Sequence, residues 1–223
     1  MLKKYATMQN IYQAGVVAVL RGKSAEEVRE MAERSIAGGV RIIEVTMTTP
    51  GALQAIRTLA DKYGGTTGED RPIIGVGTVL DEVTARLAIL EGAEFVVSPA
   101  FHPPVITMCH RYRVPVMPGV VTLGEAQSAL EHGVDIIKLF PGSMFNPSMI
   151  KTLKGPMPQL NIMPTGGVNL DNIGAWFDSG AFAVGIGSDL TSEAEKSGNF
   201  ALISEKAKRY VEAAAPYLEG RKG

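Results

Sequence analysis

The chain has 223 residues, of which 45% are hydrophobic and 20% charged, with a formal net charge of −1. This is the balance of an ordinary globular domain, and near-neutral charge argues against a general nucleic-acid binder. Apolar runs are shorter than the roughly 18 to 20 residues of a membrane span, the start M-L-K-K-Y-A-T-M-Q-N lacks the apolar core of a secretory signal, and the lone Cys109 excludes an internal disulfide or a cysteine-based zinc cluster. The expectation is one cytoplasmic, enzyme-sized domain over residues 1–223, with no nucleic-acid or membrane partner.

In chain order, residues 3–14 predict a helix ahead of the first strand, placed to cover the bottom of the fold. Eight short apolar runs follow: 16–20, 41–46, 73–77, 95–98, 114–118, 135–140, 161–164 and 183–187. Each is too short for a helix and most are rich in Val and Ile, so each reads as a strand buried on both faces. The segments between them are long enough for helices. S-A-E-E at 24–27 has the form of a capping box, in which Ser24 accepts from the Glu27 N–H and Glu27 reaches back. Asp81, Asn169 and Asn199 are further candidate helix starters. The polar stretch 64–71 reads as a surface loop, and the last helix spans roughly 199–218.

A weak repeat supports the alternation. Gly39, Gly92, Gly133 and Gly180 each precede Val or Ala, one further residue and an apolar run, at spacings of 53, 41 and 47 residues. Glycine there suits the left-handed conformation that ends a helix. Eight strands alternating with helices predict an α/β fold of the (β/α)₈ barrel type with an extra N-terminal helix. The rival, a doubly wound open sheet, usually carries a dinucleotide fingerprint after its first strand, and V-L-R-G-K-S has none.

In such a barrel the chemistry sits at the carboxyl ends of the strands. Lys138 lies inside I-I-K-L-F, where a cation costs free energy unless it is paired or deprotonated. It reads either as a lysine that snorkels to the rim or as an amine able to attack a carbonyl and form a Schiff base. Glu44, in R-I-I-E-V-T, is equally buried by pattern, and the second and sixth strands of an eight-membered ring lie opposite each other. The pair is therefore an acid–base candidate. P-T-G-G-V-N after the seventh strand and G-I-G-S after the eighth offer backbone N–H groups and helix starts where barrel phosphate sites recur; the alternative is two tight turns. Arg21, Thr46, Thr48, Thr78 and Ser98-Pro99 end other strands and could touch substrate, although each is also an ordinary turn or cap residue. His102, His110 and His132 share no metal-ligand spacing. His132 suits a helix C-terminus, Cys109 reads as inert packing and Trp176 as part of the outer ring.

Taken together, V-A-V-L-R, G-G-V-R-I-I-E-V-T, G-V-G-T-V, S-P, P-G-V-x-T, K-L-F-P, P-T-G-G-V and G-I-G-S occur in an order that resembles the bacterial KDPG/KHG aldolase family over about residues 11–215. The family cleaves 2-keto-3-deoxy-6-phosphogluconate or 4-hydroxy-2-oxoglutarate. The resemblance implies a homotrimeric barrel and a class I aldolase that uses no metal or other cofactor. It implies Lys138 as the Schiff-base lysine and Glu44 as the general acid/base. Thr78 and Pro99 match the pyruvyl pocket, Phe140 of K-L-F-P and Thr165 of P-T-G-G join the substrate-binding set, and Gly166, Gly167 and Ser188 match the phosphate site. One position departs: Thr48 stands where many members carry the arginine that holds the substrate carboxylate, and Arg21 is the replacement cation nearest in the barrel order. Two other readings of the same residues are a sugar-phosphate epimerase or isomerase that uses Lys138 as an ordinary acid–base, and a silent phosphate-binding module.

Overall fold

The computed structural model describes residues 2–64 and 71–221. Its elements alternate as the patterning predicts: α1 (Lys3–Ala14), β1 (Val16–Leu20), α2 (Ala25–Ala37), β2 (Ile42–Thr46), α3 (Ala52–Tyr63), β3 (Ile73–Gly77), α4 (Glu82–Leu90), β4 (Val96–Val97), α5 (Pro103–Arg111), β5 (Val116–Met117), β6 (Gly119–Val120), α6 (Leu123–Glu131), β7 (Ile137–Leu139), α7 (Met149–Lys154), β8 (Ile162–Pro164), α8 (Ile173–Asp178), β9 (Val184–Ile186), α9 (Ser188–Ser197) and α10 (Ala201–Leu218). Every strand pairing is parallel.

The strands form two sheets, one of six in the order β5-β4-β3-β2-β1-β9 and one of three in the order β6-β7-β8. This differs from one strand per apolar run. In place of the predicted fifth strand, 114–118, there are two short strands, β5 and β6, on either side of Pro118, which has no N–H for the ladder; its carbonyl still accepts from Lys138 N at 2.9 Å. At the other junction Phe182 N donates to Ile162 O at 2.9 Å, and Thr165 bridges Gly185 in parallel.

Two apolar cores follow from strand alternation. One face of the strands (Ala18, Ile43, Val45, Val76, Leu139, Ile162) packs against buried helix residues such as Val28, Met31, Ile56, Leu59, Trp176 and Tyr210. The other face gives a second cluster to which both sheets contribute: Val17, Ile42, Ile73, Val97 and Met117 from the larger sheet with Phe95 just ahead of β4, and Met163 from the smaller with Ile136 just ahead of it. The two sheets thus share one apolar cluster. Ile11 of α1 is completely buried in that cluster, with Met8 and Ala14 packed beside it, so α1 lies against the amino ends of the strands.

Local predictions hold with small shifts. Ser24 caps α2 by accepting from Glu27 N at 3.2 Å, but the Glu27 carboxylate reaches Lys23 N rather than closing the box on Ser24. Asp81 caps α4 through Thr84 N at 2.7 Å. Asn169 accepts from Asp171 N and Asn172 N just ahead of α8, and Asn199 accepts from Ala201 N, the first residue of α10. The four repeat glycines all have positive φ, between 77° and 100°. His132 ends α6 with its ring Nδ1 2.8 Å from Ser128 O. Cys109 is buried, and burial pushes its thiol up to about 12, so it is inert packing as read. Trp176 is buried in the outer core. Most of the predicted 64–71 loop lies outside the described residues.

Candidate active site

The inward-facing positions of β2 are Ile42, Glu44 and Thr46; those around β7 are Ile136, Lys138 and Phe140. Ile42 and Ile136 lie in the shared inner cluster, so two residues further along each strand the same alternation turns Glu44 and Lys138 into that interior. Their side chains are 0% and 5% exposed, and Lys138 Nζ lies 3.9 Å from Glu44 Oε1. The pair therefore spans from one sheet to the other.

The pair is not a satisfied structural ion pair. A separation of 3.9 Å is beyond hydrogen-bond reach, and both Glu44 carboxylate oxygens are buried without any hydrogen-bond partner. Desolvation raises the Glu44 pKa, and the Lys138 charge opposes that shift only in part. A buried acid with a raised pKa, 3.9 Å from a buried amine, is suited to take up and return a proton during a reaction. The Lys138 ammonium also stands 4.8 Å from the centre of the Phe140 ring, an attractive placement over its face.

Gly77, which the sequence reading quoted within G-V-G-T-V but assigned no role, lies against the Glu44 side chain. A Cβ on Gly77 would land on the Glu44 carboxyl group, with Glu44 Cγ only 2.7 Å away. The available signal was a glycine inside a strand, which often marks a close approach by another group. Gly77→Ala must displace Glu44 from Lys138. We expect turnover to fall at least about tenfold with the fold retained, measured by steady-state assay alongside circular dichroism.

Other predicted residues ring the same strand ends. Thr78 directly follows β3 and has φ 57°, rare for a residue with a branched side chain; Pro99 follows β4 and is half-buried. Thr165 at the end of β8 is 4% exposed, and its hydroxyl has no hydrogen-bond partner. The side chain lies over Gly185, where a Cβ would come within 2.9 Å of Thr165 Cγ2. Gly166 and Gly167 have φ 85° and 77°, and Ser188 is exposed at the first position of α9, whose preceding residue, Gly187, offers no side-chain cap. The Thr165–Gly185 bridge draws the two glycine loops together. A third loop joins them unforeseen: Gly142 N donates to Thr165 O at 2.7 Å, and a Cβ on Gly167 would come within 2.9 Å of Ser143 Cα. P-G-S at 141–143 carries no distinctive spacing, so nothing in the sequence marked it.

Arg21 and Thr48 are placed differently from each other. Arg21 follows β1 directly and is exposed. It makes no hydrogen bond or ion pair among the described residues, so the pairing with Glu44 or a surface acid that would make it structural is not formed. Thr48 is exposed, with its hydroxyl 3.1 Å from that of Thr46. No cluster of three His, Cys, Asp or Glu side chains able to hold a metal ion occurs among the described residues, and no described helix is long and apolar enough to cross a membrane.

Comparison with known proteins matches this arrangement. A family profile described as KDPG and KHG aldolase matches residues 8–205, close to the 11–215 span of the motif resemblance. A 2-dehydro-3-deoxy-6-phosphogalactonate aldolase of Escherichia coli K12 is 35% identical over 176 residues, covering 78% of this chain and 83% of the relative. The crystal structure of a KDPG aldolase from Legionella pneumophila, with pyruvate captured at low pH as a covalent carbinolamine intermediate, has TM-score 0.81 at 29% identity, covering 90% of this chain and 96% of the other. A cube-shaped, porous protein cage designed by fusing symmetric oligomeric domains has TM-score 0.83 at 31% identity, covering 91% of this chain and 73% of that one.

Proposed function

The chain belongs to the KDPG and KHG aldolase family and is an aldolase of the lyase class, and we propose that it cleaves 2-keto-3-deoxy-6-phosphogluconate by a Schiff-base mechanism centred on Lys138 and Glu44. The observation that carries this reading is the buried, unbonded Glu44 carboxyl 3.9 Å from the Lys138 amine. The covalent pyruvate adduct of the Legionella relative supports the same chemistry.

The steps follow from these groups. The neutral Lys138 amine adds to the 2-keto carbon to give a carbinolamine, and loss of water gives a protonated imine. Glu44 removes the proton of the 4-hydroxyl; the C3–C4 bond breaks, its electrons move to the imine nitrogen, and glyceraldehyde 3-phosphate leaves. The remaining enamine takes a proton at C3, for which protonated Glu44 is the nearest acid, and water hydrolyses the imine to release pyruvate and Lys138. The buried, unpartnered Thr165 hydroxyl is a donor held ready for a substrate oxygen, and Thr78, Pro99 and Phe140 line the pyruvyl end. Gly166 and Gly167, in the loop after β8, and Ser188, at the start of α9, receive the phosphate through backbone N–H groups. No metal or organic cofactor enters the scheme.

The two sheets, joined through Pro118 and the Thr165–Gly185 bridge, are read as one closed (β/α)₈ barrel capped by α1 and forming a single catalytic domain over residues 1–223. The chain is further read as a cytoplasmic homotrimer. Leu80, just ahead of α4, and Val83, Leu87 and Leu90 along it are 44–62% exposed, and the similar structure built from symmetric oligomeric domains supports a second copy as what covers them. Sedimentation equilibrium should return three times the chain mass.

The substrate is tested by measuring pyruvate release from 2-keto-3-deoxy-6-phosphogluconate, its C4 epimer 2-keto-3-deoxy-6-phosphogalactonate, and 4-hydroxy-2-oxoglutarate, which would give glyoxylate as the aldehyde. The reading requires the highest kcat/KM for the first; a higher value for the galactonate would leave the mechanism intact and reassign the substrate. All three carry a carboxylate beside the ketone. Arg21, with no partner of its own, can grip it through two parallel hydrogen bonds, which an ammonium cannot copy. Arg21→Lys is expected to raise KM for every substrate together, by about tenfold. Unchanged KM values in Arg21→Lys with raised values in Thr48→Val would assign the carboxylate to the threonine instead.

A further inference from the structure

Asp189 immediately follows Ser188 in the first turn of α9. A carboxylate there suits the helix dipole, but it lies beside the loops read as the phosphate cup, where a second anion would be repelled. The structure deals with it from α10. The Tyr210 hydroxyl donates to Asp189 Oδ2, and Lys206 Nζ stands 3.1 Å from the same oxygen. Tyr210 is completely buried and Lys206 only 22% exposed, so neither is a loose surface contact. Burial and the bond to Asp189 raise the phenol's pKa well above its ordinary value, which keeps it a donor. Gly187 supplies no side-chain cap and its carbonyl takes Leu190 N, at 2.8 Å, so with Asp189 held from α10 no side chain of the first turn competes for the leading N–H groups.

We propose that Tyr210 and Lys206 are specificity-positioning residues: by holding and neutralising Asp189 against α10, they keep the start of α9 open to the phosphate of the substrate. Neither residue touches the reacting atoms; both act through Asp189. The inference rests on the phosphate reading of Gly166, Gly167 and Ser188, and deepens it.

The test compares a phosphorylated with a phosphate-free ligand at the same active site. The first readout is KM for glyceraldehyde 3-phosphate in the synthetic direction; the second is the pyruvate concentration that half-saturates borohydride trapping. In Tyr210→Phe, which keeps the ring, KM for the aldehyde phosphate should rise about threefold to tenfold, the size of one lost hydrogen bond to a charged group. Half-saturating pyruvate and kcat should stay within twofold. Lys206→Met, at a partly exposed position, should move the same readout the same way. Asp189→Asn introduced into Tyr210→Phe should restore KM, because the charge that needed holding is gone. An unchanged KM in both single variants, a parallel rise for pyruvate, or no rescue by Asp189→Asn would each overturn the proposal. Ser188→Asp is the separate check on the cup. If it fails to raise KM for the aldehyde phosphate selectively, the cup reading falls and this inference with it; if it succeeds while Tyr210→Phe does nothing, only the role of Tyr210 and Lys206 is lost.

Discussion

Replacement of Lys138 by methionine is expected to remove aldol cleavage, lowering kcat by at least about 10⁴-fold, while the protein remains folded. The lysine contributes the nitrogen on which the covalent intermediate is built, so no neighbouring group substitutes for it. Its charge is also buried, with a side chain only 5% exposed and no hydrogen-bonded acid to compensate it. Such a buried, poorly compensated ion is weak evidence for a stabilising role. Methionine fills a similar volume with an apolar chain, so the loss of activity should come without loss of the folded state. Thermal unfolding followed by circular dichroism checks the second half of this statement, and a coupled pyruvate assay the first. An epimerase or isomerase that used Lys138 only as an acid or base would lose about 10²–10⁴ instead and would form no adduct with pyruvate.

Glu44→Gln is expected to separate covalent attachment from proton transfer. Glutamine keeps the size of the side chain over Gly77 but cannot accept the proton of the 4-hydroxyl. Turnover should fall by about 10²–10⁴, the usual contribution of one general base, and borohydride should still trap pyruvate on the enzyme, more slowly. The raised pKa of Glu44 adds a pH dependence in the wild type. Burial favours the protonated acid, so the base form should be populated only above the ordinary carboxylate range, and the acid limb of kcat should lie correspondingly higher. That limb should disappear in Glu44→Gln. Near-normal turnover in this variant would mean that another group moves the proton.

The site was legible in the sequence wherever a residue broke the pattern of its strand. Lys138 and Glu44 stood out because charged residues interrupt apolar runs, and strand alternation then turned both into one interior. The glycine pair at 166–167 was legible because two adjacent glycines between a strand and a helix have few other uses, and both adopt positive φ. Three features were hidden. The break at Pro118 was present in the sequence, yet the run 114–118 ends on that proline, so nothing in it showed that pairing resumes beyond, at Gly119 and Val120. Gly77 looked like another small residue in an apolar run, since its importance lies in a neighbour two strands' pairing partners define: Thr46 pairs with Gly77, and Glu44 lies two residues back on the same face. The hold on Asp189 joins residues about twenty positions apart on two helices, and no pattern within either helix links them. Periodicity therefore assigned elements and faces well, and gave no access to contacts made across them.

The central claim is that Lys138 carries the substrate as a covalent imine. Incubation of the wild-type protein with pyruvate and sodium borohydride, followed by proteolysis and mass spectrometry, tests it most directly. The account predicts a reduced pyruvyl group on the peptide containing Lys138 and none on that peptide from Lys138→Met; labelling of Lys151 or Lys154 instead, or no covalent adduct at all with active enzyme, would contradict it.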